Sequence, residues 1–397
     1  MEKVDGLCGS RVQKEWLEAA LQTALQTRAH FGPNFSSTQF GIGQGFFSII
    51  IRVICDWQGE GANELPASFV LKCPSLGPLL QMNGPDFEEH REGSFGLLKK
   101  AHACEVSFYN MIKTHQLKLH VPKVYYSHNV DADGELGLIV MEDLTQSAAV
   151  KPTIDGLPLK GLETIMENFA TLHAFSLTNT EWLENSELKA YLFEGQSLLL
   201  KGWVKDSIET LRKLGSDLFS DSYLERLTEI IGPQFDRKYA YHVHEELGIP
   251  PVLTHGDLHN SNIMWKKSPD GNGTTDELAV IVDWQIMHPG CVGEDFARLF
   301  CGSIEADIRR EHTNHLLEHY HKTLTARLNK EPPFTLDQLK QAYRRLFKFG
   351  AGTYLPAFAF YAQRMMSEGK VAENDIVLRR CKAVIDDLFE IENELSR

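Results

Sequence analysis

Three polar side chains in the second half of the chain could carry phosphoryl-transfer chemistry. Asp257 and Asn262 are five positions apart. This is the spacing of the aspartate that accepts a hydroxyl proton and the asparagine that binds metal in a kinase catalytic loop. Asp283 follows an apolar run, residues 278–282, that predicts a short buried strand. The pattern favours Asp257 as the catalytic residue and Asn262 and Asp283 as ligands of Mg²⁺ that arrives with ATP.

Two short strands are predicted to bring the metal ligands together. Residues 262–265 and 278–283 flank a turn-rich connection, residues 268–273. A hairpin of these strands would return Asp283 to a position beside Asn262. Two oxygen ligands that converge on one point suit Mg²⁺ bound to nucleotide phosphates.

Two residues near the predicted catalytic loop are expected to support it. His255 precedes Asp257 in a His-Gly-Asp triplet, where a protein kinase has His-Arg-Asp. Asp295 stands at the predicted start of a helix, where it could cap the helix or hold the catalytic loop through hydrogen bonds. We expect both residues to surround the site rather than to touch the substrates.

A glycine-rich segment in the first part of the chain is predicted to approach phosphate groups. Gly41, Gly43 and Gly45 alternate just before a β-rich run, residues 47–54. Backbone N–H groups of such a loop can reach phosphate oxygens because no Cβ intervenes. The spacing is Gly-x-Gly-x-Gly, which differs from the protein-kinase Gly-x-Gly-x-x-Gly.

A lysine and a glutamate downstream are predicted to form an ion pair beside the nucleotide. Lys72 lies near the end of a predicted strand, residues 68–73, and Glu105 lies in the apolar stripe of a predicted helix, residues 97–113. A charge in such a stripe is costly unless it is paired. In a kinase the corresponding lysine contacts the α- and β-phosphates.

The stretch Met141, Glu142 and Asp143 follows another predicted strand, residues 137–141. In a kinase the chain crosses between the lobes at this point, and its backbone groups hydrogen-bond the adenine. We therefore predict that these three residues help to bind ATP.

An aromatic-rich segment, residues 338–366, is the predicted wall of the acceptor pocket. Gly350, Gly352 and Pro356 are expected to interrupt its helix, and a bent segment would suit a concave site lined by Tyr354 and Phe358. Such a pocket favours a lipophilic, hydroxylated small molecule over a sugar or a polycation. Aromatic residues at helical spacing are also typical of a buried core, and this alternative stays open.

Composition limits the remaining function classes. The 397 residues carry a net charge of −14, which disfavours nucleic acid and anionic membranes as partners. The seven cysteines include no C-x-x-C pair, so we expect reduced thiols. No signal peptide or membrane-inserted segment is predicted, and the expected location is cytoplasmic.

The elements that must position these residues divide the chain in two. Residues 1–144 predict an N-terminal lobe with a leading helix, the glycine-rich loop and an ATP-binding sheet. Residues 145–397 predict a helical C-terminal lobe with the catalytic loop, the metal site and the acceptor pocket. The fold class is therefore α+β, a bilobal protein-kinase-like fold.

The motifs resemble those of the aminoglycoside phosphotransferase/choline kinase superfamily, in particular its CHK-kinase-like (ecdysteroid-kinase-like) branch of nematode type. The resemblance covers nearly the whole chain, residues 40–366. It is carried by the following segments: His255-Gly-Asp-Leu-His-Asn-Ser-Asn262, Ile281-Val-Asp-Trp284, Asp295-Phe-Ala-Arg-Leu299, Glu105-Val-Ser-Phe-Tyr109, Pro333-Phe-Thr-Leu-Asp-Gln-Leu339 and Tyr354-Leu-Pro356.

The resemblance implies a bilobal kinase fold, ATP with Mg²⁺, and phosphorylation of a hydroxyl group on a small molecule. By position it implies that Lys72 holds phosphates, that Asp257 is the base, and that Asn262 and Asp283 bind metal. The branch often has Trp where this chain has His259, a difference that bears on the choice of substrate.

Three other function classes fit parts of the sequence. A protein kinase is disfavoured because Trp284 and Gln285 follow Asp283 instead of Phe-Gly, and no Ala-Pro-Glu marker follows. A metallohydrolase could use His255, Asp257 and His259 as zinc ligands if they shared one face of a strand. A catalytically inactive nucleotide- or metabolite-binding module is the third alternative.

Overall fold

The computed structural model describes residues 6–41, 47–77, 91–130, 137–189, 191, 197–232 and 237–396. The chain divides into two compact units. The first comprises Met1–Leu117 and Val121–Ser147, and the second comprises Lys118–His120 and Ala148–Arg397.

The first unit is built on a five-stranded antiparallel sheet. A short pair, His30–Phe31 (β1) with Trp57–Gln58 (β4), lies outside that sheet. The sheet's edge-to-edge order is Ser36–Phe40 (β2), Ser48–Ile54 (β3), Ser68–Pro74 (β5), Leu138–Glu142 (β7) and Val124–His128 (β6). β3 is rich in isoleucine and valine, whose branched side chains suit a pleated surface. β5 lies at the centre and is buried along most of its length.

Two helices accompany this sheet, Lys14–Leu25 (α1) and Arg91–His115 (α2). Leu17 and Leu21 of α1 are fully buried and share one apolar core with the sheet. Burying each leucine contributes about 1.5–3 kcal/mol relative to leaving it exposed.

The second unit contains two small antiparallel sheets. The first has three strands in the order β11, β10, β8, which are Thr274–Ile281, Ile263–Lys267 and Ala148–Val150. The other pairs Val252–Thr254 (β9) with His288–Gly290 (β12). The longer β10–β11 hairpin carries the predicted metal ligands at its open end.

The rest of the second unit is mostly helical. Its helices are Leu159–Thr178 (α3), Ser197–Leu214 (α4), Asp221–Ile231 (α5), Arg237–Glu246 (α6), Glu294–Ser303 (α7), Ala306–Leu328 (α8), Leu336–Ser367 (α9) and Val371–Leu395 (α10). The predicted α+β class is thus confirmed, with a smaller β-rich first unit and a larger, mostly helical second unit. None of the helices in the described ranges is both long and apolar enough to cross a membrane.

The predicted break in the aromatic-rich helix is wrong. α9 begins with a capping box between Thr335 and Gln338 and continues without interruption through Pro356. A Cβ on Gly350 would lie 2.8 Å from the backbone of Ala297, so this glycine lets α9 approach α7. Interior proline costs a helix about 3 kcal/mol, and the extensive burial of α9 offsets that cost.

Candidate active site

The predicted hairpin forms from β10 and β11. Ile263 pairs with Ile281, and the N–H of Val282 donates to the carbonyl of Asn262 at 2.9 Å. Asp283 is therefore the first residue after the hydrogen-bonded part of the hairpin, at the same end of the hairpin as Asn262. Its φ of 68° lies in the left-handed region, which is uncommon for a residue other than glycine and is often found at functional sites.

Asn262 is tied to the catalytic loop by its side chain. It lies in the short 3₁₀ turn Asn260–Asn262 that leads into β10. Its Nδ2 donates to the backbone carbonyl of Asp257 at 3.0 Å. The structure therefore brings the loop that holds Asp257 and the hairpin that holds Asp283 together at Asn262.

The carboxylate of Asp257 is held by an arginine from α7. Nε of Arg298 donates to Oδ1 of Asp257 at 2.8 Å, and Nη2 donates to the same oxygen. Nε2 of His259 is 3.7 Å from the other oxygen, Oδ2. Burial alone would raise the pKa of Asp257, but the charge of Arg298 and the proximity of His259 outweigh it and hold that pKa well below its usual range.

Asp295 holds the backbone of the same loop. Its Oδ2 accepts the N–H of His255 at 2.7 Å, and its Oδ1 accepts the N–H of Gly256 at 2.9 Å. The residue that precedes α7 is Gly293, which makes no side-chain cap. Asp295 thus lies in the first turn of a helix, as the sequence predicts, and it binds the loop. Burial and the neighbouring charge of Glu294 raise the pKa of Asp295 to about 7, against the two N–H groups that lower it.

His255 is locked in one tautomer by the backbone. Its Nδ1 accepts the N–H of Asp257 at 3.2 Å, and its Nε2 is 3.0 Å from the carbonyl of Val282. Only the neutral ring with hydrogen on Nε2 satisfies both contacts. Burial also favours the neutral ring, because it lowers the pKa of His255 to about 4.

The zinc alternative is not supported by this geometry. Both ring nitrogens of His255 are engaged by backbone groups, so the alternating set of His255, Asp257 and His259 cannot converge on one ion. Across the described ranges, no three His, Cys, Asp or Glu side chains form a potential metal site. A carboxylate with an amide oxygen, as at Asp283 and Asn262, is instead the donor set of a hard cation such as Mg²⁺.

The predicted ion pair of the first unit is present. Nζ of Lys72, on β5, is 2.5 Å from Oε2 of Glu105, on α2. Lys72 is 8% exposed and Glu105 is 1% exposed. Two buried charges require such a partner, because removing one leaves the other uncompensated.

Met141 and Glu142 are the last two residues of β7, and Asp143 follows that strand. Met141 pairs with Val70, and Glu142 pairs with Phe69. Asp143 follows β7 and accepts hydrogen bonds from Arg52 and Ser68, each at 2.6 Å.

The carboxylate of Asp143 has a structural role that the sequence did not indicate. Burial would raise its pKa, but the hydrogen bonds from Ser68, Thr145 and Arg52 outweigh burial and lower the pKa to about 2. The side chain therefore fixes the turn after β7.

The glycine-rich loop is described only at its first glycine. Gly41 has a φ of 67°, which favours glycine. Gly43 and Gly45 lie outside the described residues, and their predicted contact with phosphate stays a prediction.

Tyr354 and Phe358 lie on α9 in edge-to-face contact, with ring centroids 4.9 Å apart. The exposed fractions of the two residues are 1% and 2%. The ring of Tyr354 is 6.0 Å from that of His259, and the guanidinium of Arg298 lies 5.8 Å from the Tyr354 centroid. Tyr354 is therefore near the loop that holds Asp257, and Phe358 packs behind it.

Arg298 is a site residue that sequence reasoning passed over. It belongs to the same motif as Asp295, which lies three positions earlier. On a helix, residues three apart share one face. Had that spacing been applied, both side chains would have been expected to face the catalytic loop.

Comparison with known proteins agrees with the motif analysis. A model of the DUF1679 family, described as "Uncharacterized oxidoreductase dhs-27", matches residues 1–395. The Caenorhabditis elegans protein "Uncharacterized kinase-like protein D1044.1" is 23% identical over 359 residues, with 87% of this chain and 90% of that protein covered. "Uncharacterized oxidoreductase dhs-27", also from Caenorhabditis elegans, is 29% identical over 329 residues, or 79% of this chain. This chain spans only 38% of that protein's length.

Among solved structures, a putative aminoglycoside phosphotransferase from Ralstonia eutropha is similar at 12% identity, with a TM-score of 0.46 and coverage of 94% of this chain and 98% of that one. The family match extends over nearly every residue and includes both units. The kinase-like relative fits the resemblance to the aminoglycoside phosphotransferase/choline kinase superfamily seen in the motifs. The chain belongs to the DUF1679 family.

Proposed function

We propose that this protein is an ATP- and Mg²⁺-dependent kinase that transfers the γ-phosphoryl group to a hydroxyl of a small molecule. One observation carries the proposal: the loop with Asp257 and the strand end with Asp283 are joined at Asn262 by two hydrogen bonds. This constellation matches the base and metal ligands that phosphoryl transfer requires.

Asp257 would accept the hydrogen of the acceptor hydroxyl. The acceptor oxygen forms a bond to the γ-phosphorus, the bond from that phosphorus to the bridging oxygen breaks, and ADP leaves. The hydroxyl proton goes to the carboxylate of Asp257. Because the pKa of Asp257 is held low, the residue is a weak base whose main effect is to orient the hydroxyl, as a loose transition state allows.

Asn262 and Asp283 would hold Mg²⁺, which neutralises charge on the β- and γ-phosphates. Lys72, kept in place by Glu105, would contact the α- and β-phosphates. Gly41, Gly43 and Gly45, with the backbone at Met141, Glu142 and Asp143, would complete the nucleotide site. In this assignment residues 1–144 are the ATP-binding lobe, and residues 145–397 are the lobe with the catalytic loop and the acceptor site.

The acceptor would lie beside α9. Tyr354 is in contact range of His259 and Arg298, which flank Asp257. Tyr354 is 1% exposed, so it would lie beneath the acceptor rather than form an open wall. An aromatic layer beside the catalytic carboxylate suits an apolar ring system that carries a hydroxyl group. We therefore propose a lipophilic, hydroxylated acceptor, for which a sterol or a xenobiotic is a fitting class.

The strand pairings of the described residues do not support the word oxidoreductase, which stands in one relative's name and in the description of the family model. A dinucleotide-binding βαβ unit needs neighbouring parallel strands. In the described ranges every strand pairing is antiparallel. That name belongs to a protein of which this chain matches 38%.

An ATP-consumption screen tests the proposal. Purified protein is incubated with Mg·ATP and with hydroxylated sterols, amino alcohols and xenobiotic glycosides, and products are read by mass spectrometry. We expect at least one compound to gain one phosphoryl group with wild type and none with Asp257→Asn. Binding of Mg·ATP without turnover on any compound would favour the inactive nucleotide-binding module instead.

A further inference from the structure

We propose that Arg298 is a positioning residue, which fixes the carboxylate of Asp257 through one oxygen so that the other oxygen faces the acceptor. The inference rests on the proposed function of Asp257. In this proposal α7 helps to set the geometry of the reaction as well as packing against α9.

The contact geometry is one-sided. Nε and Nη2 of Arg298 both donate to Oδ1 of Asp257. Oδ2 accepts no hydrogen bond of normal length in the described part of the chain, and Nε2 of His259 faces it at 3.7 Å. The Asp257 side chain keeps 27% of its surface exposed, whereas that of Arg298 keeps 13%. Oδ2 is therefore the oxygen that an acceptor hydroxyl can reach.

The side-chain hydrogen bonds of Arg298 are directed at Asp257. All of its side-chain hydrogen bonds in the described ranges go to Asp257, and its Nη1 is buried with no partner there. Other buried arginines of the second unit also bind backbone carbonyls: Arg309 binds that of Phe300, and Arg380 binds those of Thr153 and Ile154. An arginine that binds only a carboxylate acts on the orientation of that carboxylate.

One face of α7 thus controls the loop in two ways. Asp295 holds the backbone of His255 and Gly256, and Arg298, three residues later, holds the side chain of Asp257. Backbone hydrogen bonds alone leave the carboxylate free to rotate about its terminal torsion, which is broad for aspartate. Arg298 removes that freedom, and a pre-oriented base can be worth a factor of about 10² in rate.

The test uses two variants and a matched control on the full-length protein. Arg298→Met removes both donors, and Arg298→Lys keeps the charge with a single donor point. Arg309→Met is the control, because it breaks another buried arginine–carboxylate pair, with Asp387, that does not touch Asp257. Crystal structures report the orientation of Asp257, thermal unfolding reports stability, and ADP release reports turnover on the acceptor found by screening or, without one, on water.

We expect Asp257 to lose its orientation in Arg298→Met and kcat to fall by about 10², with KM for ATP unchanged. Arg298→Lys should recover part of kcat, and Arg309→Met should lose stability while keeping kcat and the orientation of Asp257. An Arg298→Met protein with Asp257 oriented as in wild type and with wild-type kcat overturns the proposal. If Arg298→Met does not fold, Arg298→Lys decides by the same two readouts.

Failure of the proposed function would look different. If wild type consumes no ATP on any acceptor or on water, the kinase assignment fails, while the crystal structures still decide whether Arg298 orients Asp257.

Discussion

Val282 donates its N–H to the carbonyl of Asn262 at 2.9 Å, one step beyond the last paired residues of the β10–β11 hairpin. This bond extends the hairpin to the point where Asp283 leaves it in a left-handed conformation. The side chain of Asn262 also binds the carbonyl of Asp257. A change at this end of the hairpin should therefore affect both metal binding and catalysis, and each can be measured by its own assay.

Asp283→Ala should abolish the dependence of ATP affinity on Mg²⁺. Mg²⁺ uses one or two protein ligands together with phosphate oxygens, so it should bind weakly without nucleotide and lose its protein carboxylate in this variant. Calorimetric titration of ATP with and without Mg²⁺ measures the effect. Mg·ATP affinity equal to that of wild type would contradict the metal assignment. Asp276→Ala, a change at an exposed carboxylate on β11, is the control.

Asp257→Asn should keep nucleotide binding and lose transfer. The amide preserves shape but can neither orient the hydroxyl through a charged oxygen nor take its proton. Loss of such a group costs on the order of 10²–10⁴ in rate. Single-turnover phosphorylation of the screened acceptor, with Mg·ATP affinity measured in parallel, separates the two effects. Turnover close to that of wild type would rule out Asp257 as the base.

Breaking the buried pair of the first unit should cost far more than removing it whole. Lys72→Met or Glu105→Leu alone removes one partner of this buried ion pair, which costs about 3–5 kcal/mol. The double variant Lys72→Met/Glu105→Leu removes both charges and should recover most of that loss. Denaturant unfolding of the four proteins forms a double-mutant cycle, and additive losses would show that the two charges do not interact.

Stability should fall as the pH drops below about 6.5 because of buried histidines. Burial lowers the pKa of His102 and His255 to about 4 and that of His173 to about 3. These histidines therefore bind protons near pH 6.5 in the unfolded chain but only near pH 4 or below in the folded chain. The stabilisation that is present above pH 6.5 is lost as the pH falls through that window. The raised pKa of Asp295, about 7, acts in the opposite direction, since its contribution is lost as the pH rises toward 7.

His173→Phe isolates one of these histidines. His173 is fully buried between α3 and α8, where its Nδ1 meets the hydroxyl of Tyr320 at 2.7 Å. The variant should be less stable at pH 7 but should lose less on acidification, so the slope of Tm against pH between about 4 and 6.5 should flatten. An unchanged slope in His173→Phe would show that His173 is not neutral in the fold.

Conservative changes on α9 test the acceptor site without emptying the core. Tyr354→Phe and Phe358→Leu keep most of the buried volume, whereas alanine at either position would cost about 3–5 kcal/mol. Both variants should raise KM for the acceptor and leave KM for ATP unchanged. Tyr343→Phe, on the same helix and buried, is the control for the loss of a buried tyrosine hydroxyl. A change in Tm without a change in acceptor KM would show that Tyr354 and Phe358 only stabilise the core.

Local spacing was enough to predict the parts of the site that depend on neighbouring residues. The hairpin was readable because two apolar runs flank a glycine-rich turn, and pairing across a short turn allows few registers. The need of Glu105 for a partner was readable because an isolated charge in an apolar stripe is costly, and the order of elements in a kinase named Lys72 as that partner. The position of Asp295 in the first turn of a helix followed from the same kind of local signal.

Tertiary packing decided what local spacing could not. Gly350 and Pro356 indicated a broken helix, but the glycine is a point of close approach between α7 and α9, and burial of the helix outweighs the cost of the proline. Arg298 reaches Asp257 across 41 residues of sequence, a contact that only the packed position of α7 creates. Helix and strand periods report which face of an element is buried, and they carry no information on which distant side chain will meet it there.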